Sequence, residues 1–117
     1  MKIKFYSYTP SGNVKFETEG ILNGNTLSFI DKSNESTTIN LIINEDNIHL
    51  NRIGNCTMDM YFEEGVKSKG HYKNNEIEFD FSLITNKLEM LENKISIYYE
   101  FFINKESYGL YKIFILK

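Results

Sequence analysis

The alternation of apolar and polar side chains restricts the fold of this chain more than anything else in it. In the run from Glu76 to Thr85, Ile77, Phe79, Phe81 and Leu83 oppose Glu78, Asp80 and Ser82. From Lys94 to Ile103, Ile95, Ile97, Tyr99, Phe101 and Ile103 again fall at every second position. A period of two puts successive side chains on opposite faces of a strand, whereas a helix would repeat every 3.6 residues. Isoleucine, threonine, tyrosine and phenylalanine dominate the runs, and these residues suit a pleated, half-buried surface.

Turn chemistry divides the runs. Pro10 to Asn13, Asn23-Gly24-Asn25, Lys32 to Glu35, Asn44 to Asn47, Gly54-Asn55, Glu63 to Val66, Asn74-Asn75 and Asn104 to Glu106 are the breaks. Between them lie about ten strands, roughly 2–8, 13–22, 26–31, 37–43, 47–53, 56–62, 67–73, 76–85, 94–103 and 107–116. The segment Thr85 to Asn93 holds the single plausible helical turn, through Leu88 and Leu91, but it is too short to stand as a helix and reads as a loop or extended hairpin tip. Strands joined by such short turns pair antiparallel with their neighbours, and a meander of this length removes its exposed edges by closing. The expected fold is all-β, an antiparallel up-and-down barrel of about eight to ten strands; a two-sheet sandwich is the alternative.

At 117 residues the chain is expected to form one domain with one core. Its net charge of -3, with lysines scattered along the sequence, argues against nucleic acid and membrane surfaces as partners. No apolar run is long enough for a spanning helix, and the start, MKIKFYSYTPSGN, reads as a strand rather than a signal peptide. A lone cysteine, Cys56, fits a reducing, cytoplasmic setting and a small buried hydrophobe.

The only arginine, Arg52, sits in LNRIGNCTMDMYF with the parity of Ile48 and Leu50, on the inner face. A buried guanidinium needs partners. Glu17, Glu78, Asp80 and Glu100 fall on outer faces; Glu19 precedes Gly20, where a glycine bulge would turn one side chain inward. In one reading Arg52 ends its strand at the barrel mouth and bonds Glu19, carbonyls, or the hydroxyls of Tyr72 and Tyr99. In a second, it holds the carboxylate or phosphate of a small ligand in an apolar cavity. In a third, the register differs and Arg52 lies in solvent. Met58 and Met60, with Cys56, form a soft inner stripe suited to core filling or to an adaptable pocket. The candidate ligand-binding residues are therefore Arg52, Glu19, Tyr72, Tyr99, Met58 and Met60.

No catalytic constellation, cofactor motif or zinc spacing is present: His49 and His71 fall on outer faces, and Glu63-Glu64 reads as a solvated hairpin end. The chain is expected not to be an enzyme. Inward aromatics, among them Phe16, Phe29, Phe79, Phe81 and Phe101, could fill the lumen outright. Two roles compete: a barrel binding a small apolar or anionic ligand, and an interaction or structural module. The second rests on Tyr98, Phe102, Tyr111, Ile113 and Ile115, which make the last two strands apolar on both faces, as a protein contact or homodimer would require.

Several of these segments resemble the YwiB-like family, also called DUF1934. Phe16-Glu17-Thr18-Glu19-Gly20 with the hairpin into Leu27-Ser28-Phe29 is similar to its opening, and Leu50-Asn51-Arg52-Ile53-Gly54 to its central arginine–x–glycine element. Met58 to Phe62, Tyr72, Thr85 followed by Leu88, and Ile95 to Tyr99 resemble the segments that follow, while Asn74-Asn75 replaces an expected glycine-bearing turn. The resemblance implies a bacterial protein with a calycin-like, lipocalin-shaped barrel and no established activity. The chain has no tryptophan, so lipocalin ligands do not follow from it.

Overall fold

The computed structural model describes residues 1–117 and consists of strands and turns. The strands are β1 (Lys2–Thr9), β2 (Gly12–Asn23), β3 (Thr26–Ile30), β4 (Thr38–Ile43), β5 (Asn47–Ile53), β6 (Thr57–Glu63), β7 (Lys67–Lys73), β8 (Glu78–Met90), β9 (Lys94–Ile103) and β10 (Glu106–Leu116). Each pairs antiparallel with its neighbours in sequence, and β1 closes on β10 through Lys4–Tyr8 against Leu116–Lys112. The result is a closed ten-stranded barrel rather than a sandwich, with no free edge.

Closure gives the alternation its meaning. Ile3, Leu27, Leu41, Ile48, Phe62 and Ile97 are fully buried and fill the lower lumen. A ring as large as Phe62, taken wholly out of water, contributes about 2–3 kcal/mol. Both chain ends lie at this packed floor: the Met1 ammonium donates to the Gly20 carbonyl at 2.8 Å, and the Lys117 amide to that of Asn93 at 3.0 Å. The β1–β2, β3–β4, β5–β6, β7–β8 and β9–β10 turns stand at the opposite, open end.

Two expectations need correction. The segment after Thr85 is not a loop: β8 runs on to Met90 through a bulge between Thr85 and Lys87. The extra residue switches parity, so Leu88 and Met90 replace the odd-numbered residues on the inner face and pair with Ile97 and Ile95. Glu64 is exposed at its hairpin end, as expected, and also bonds to a neighbouring strand. Its Oε1 accepts the Leu88 amide at 2.9 Å, and the Gly65 amide donates to the Thr85 carbonyl at 2.8 Å, tying the β6–β7 turn to the bulge. The last strand also divides differently from the listing of its apolar residues by sequence. Ile113 and Ile115 belong to the buried core and Tyr111 packs against it, while Tyr98 and Phe114 meet on the outside at 5.6 Å.

The β9–β10 turn holds Asn104 and Lys105 at φ of 51° and 68°. Two successive positive φ values fit the tight hairpin, but only asparagine and glycine adopt them readily. Lys105→Gly is expected to raise stability by roughly 1 kcal/mol, read as a higher urea midpoint with an unchanged slope.

Candidate functional site

The open end is built by one cross-strand row. Ile39, Arg52, Met58, Tyr72 and Phe79 are successive register partners from β4 to β8, all on the inner face. Arg52 therefore looks inward, as its parity predicts. Its partner is Asp31, not Glu19: Arg52 Nη2 donates to Asp31 Oδ2 at 2.6 Å. Asp31 is 3% exposed, and its other oxygen accepts the Ser33 amide at 2.9 Å and the Ser33 hydroxyl. The carboxylate is satisfied on both sides, which an almost buried charge requires.

Glu19 lies outside the barrel. The β2 register runs without a bulge, with Glu19 opposite Lys2 and Gly20 opposite Phe29. Gly20 faces inward because a Cβ there would stand 2.8 Å from Ile3. Its lack of a side chain makes room in the core and does not redirect its neighbour. Glu19, with its side chain 81% exposed, sits 3.6 Å from the N-terminal ammonium.

The arginine–x–glycine element acts as a clamp. Arg52 holds Asp31 at the start of the β3–β4 turn. Gly54 lets the end of that turn approach: a Cβ there would come within 2.7 Å of the Ser36 carbonyl oxygen and 2.9 Å of Thr37 Cα. Thr37, fully buried, donates its amide to Asn34 and accepts from that of Asp31. Residues 31–37 thus form a small closed unit docked across one side of the mouth.

Above the packed floor, beside this unit, lies a cavity of about 300 Å³. Its wall is mainly apolar, with Phe5, Ile39, Met58, Met60, Phe101 and Ile113, and its polar residues are Ser7, Thr9, Asp31, Ser33, Arg52, Tyr99 and Tyr111. Four of the six expected residues, Arg52, Tyr99, Met58 and Met60, meet there. Tyr72, though on the row of Arg52, packs on Phe79 at 5.2 Å and accepts a hydrogen bond from Asn74, away from the cavity. Asp31 and Ser33 escaped the sequence reading, yet Asp31 continues the inward series Leu27, Phe29.

The electrostatics at the mouth are nearly balanced. Arg52 and Asp31 cancel in charge, but Arg52 Nε is buried without a partner. The Tyr99 phenol is raised well above its ordinary value, first by burial and then by Tyr111, with the Arg52 charge working against both. Tyr99 is therefore a neutral donor at any physiological pH. Cys56 lies half exposed before β6, outside this wall.

His49 and His71 are on the outer face, as parity predicts. His71 is bracketed by Asp80, 2.6 Å from Nδ1, and Glu78, 2.8 Å from Nε2. Hydrogen bonds to Asp80, then to Glu78, raise its pKa above 6.5 against a weaker opposing desolvation.

A sequence profile described as a domain of unknown function, DUF1934, matches residues 6–115. No curated protein matches the chain. Among solved structures, the crystal structure of the YwiB protein from Bacillus subtilis superposes with a TM-score of 0.65 at 16% identity. The match covers 97% of this chain and 85% of that one, a likeness of fold.

Arg52→Met would leave the Asp31 carboxylate buried and unpaired. With the arginine side chain 32% exposed, the expected loss is roughly 2 kcal/mol, below that of a fully buried pair. Amide exchange should quicken across residues 31–37; unchanged exchange there would refute the clamp. For His71, a raised folded pKa means stability that is complete below 6.5 and is lost as pH rises through the folded value. An NMR titration should place its midpoint above 6.5, and Asp80→Asn should lower it.

Proposed function

The chain belongs to the DUF1934 family, whose description assigns no activity, and from the geometry of the mouth we propose that it is a non-catalytic binding barrel. Its ligand is a small, mainly apolar molecule with one hydrogen-bond-accepting end. The observation that carries this reading is the unpartnered, buried Nε of Arg52, on a side chain that lines a mainly apolar cavity. An unmet buried donor is costly, and a ligand acceptor that it meets after a turn of the guanidinium would relieve it.

Charge narrows the ligand class. Asp31 already occupies the anion position beside Arg52, so a phosphate would meet a carboxylate as well as a guanidinium. A carbonyl, or at most a single carboxylate, is compatible with that balance, and Tyr99 offers a neutral donor nearby. The volume lies at the low end of ligand sites, which run from about 300 to 1,000 Å³. Met58 and Met60 supply a wall that adapts to shape. The free Cys56, with no disulfide in the chain, supports a reducing compartment such as the cytoplasm; no helix is long and apolar enough to cross a membrane.

Native mass spectrometry with matched short-chain ketones, carboxylates and alkyl phosphates tests this. Ketone or carboxylate adducts should form while phosphates do not. Met60→Trp, which fills the cavity, should abolish adducts while the chain stays folded by circular dichroism. Equal adduct formation by that variant, or no adduct from any series, rejects the reading.

A further inference from the structure

The cavity at the mouth has two chemically different halves. Of its ten hydrophobic lining residues, six are aromatic or methionine, and the fold sorts them to opposite sides. Tyr99 and Phe101 on β9, Tyr111 on β10 and Phe5 on β1 make one half, with Tyr99 and Tyr111 direct register partners. Met58 and Met60 on β6, beside Arg52 on β5, make the other. In the closed ring of ten strands, β5 and β6 stand five places from β10 and β1, so the halves confront each other across the axis.

The aromatic half is an unfinished stack. Tyr111 lies 5.3 Å from Tyr99 and 5.5 Å from Phe101, at interplanar angles of 31° and 39°. Those angles are nearer to offset stacking than to edge-on contact. Tyr111 is half-buried, and the cavity lies beside it. The sulfurs on the far side are polarizable and make favourable contacts with aromatic rings. Depth is lacking for an extended acyl chain, because Leu41, Phe62 and Ile97 fill the lumen below. A dry cavity of about 150 Å³ already accepts benzene. At about 300 Å³ this one holds a single ring with a polar substituent.

Resting on the binding-barrel reading above, we propose that the ligand is aromatic: a neutral planar ring bearing a carbonyl, as in an aryl ketone or aryl amide. The carbonyl turns to Arg52, and the ring lies between Met58 and Met60 on one side and the Tyr111 band on the other. Tyr111 and Phe101 then set the preference for a flat ring over a saturated one. A saturated ring of the same size buries similar apolar area but loses the stacking on Tyr111 and the contact with sulfur. The Arg52–Asp31 pair leaves no net charge for an ionic ring to answer.

The test compares acetophenone with its saturated match, cyclohexyl methyl ketone, in NMR titrations of the full chain labelled at its methionine methyls. Acetophenone should saturate at a concentration about fivefold lower. Its ring current should move the Met58 and Met60 methyl resonances upfield, while Met1 and Met90, at the packed floor, stay in place. Tyr111→Leu should remove the preference and leave the saturated ketone bound as before, and Tyr111→Phe should keep it, both variants staying folded by circular dichroism. Equal binding of the two ketones, tighter binding of the saturated one, or a preference that survives Tyr111→Leu overturns the aromatic assignment and leaves the binding barrel standing. If neither ketone binds, the inference falls, and the binding barrel falls with it only where the short-chain series gives no adduct either.

Discussion

Everything in this molecule depends on the hydrogen bonds by which β1 meets β10. Ten strands in an open sheet would leave two edges of unpaired amides and carbonyls and no inside. Once Lys4–Tyr8 pairs with Leu116–Lys112, each strand has two faces of different kind, one toward water and one toward the axis. The parity of a residue then decides its burial. Ile3, Phe5, Ile113 and Ile115 enter the core beside the seam, while Tyr6, Tyr8, Lys112 and Phe114 from the same two strands go outward.

The lumen is not uniform along its axis. Large aliphatic and aromatic side chains close the lower part. Toward the mouth polar side chains enter among the aromatic ones: Ser7 and Thr9 on β1, Asp31 after β3, and Arg52 on β5, beside Phe5, Phe101 and Tyr111. Packing therefore fails at one end only, and that end holds the cavity. The Arg52–Asp31 pair serves two roles there. It fastens the 31–37 turn across part of the rim, and it sets a nearly neutral electrostatic balance beside the apolar wall. A ligand-free role for Arg52 and a ligand-binding one are consequently not rivals, since one nitrogen serves the turn and another is left over.

Much of this was legible because alternation is a local signal. The ten strands and the inward course of Arg52, Met58, Met60 and Tyr99 follow from it directly. Where the reading failed, the cause lay between strands. Glu19 was chosen on the supposition that Gly20 bulges, but Gly20 is needed for the approach of Ile3, a contact across strands. Asp31 had the parity of Leu27 and Phe29 and was passed over because it stands where a strand becomes a turn. The bulge in β8 depends on Glu64, more than twenty residues earlier, and no local pattern announces it.

The seam and the packed floor together have a topological consequence. Because an even number of strands alternates direction, Met1 and Lys117 leave the barrel at the same end, flanking strands that are already neighbours. The cylinder thus has no intrinsic first strand. A short peptide joining the two termini, with the backbone cut at another turn, would preserve every rung of the ladder while the rim turns keep their order. Cargo tethered at either terminus would hang beneath the base and leave the rim unobstructed.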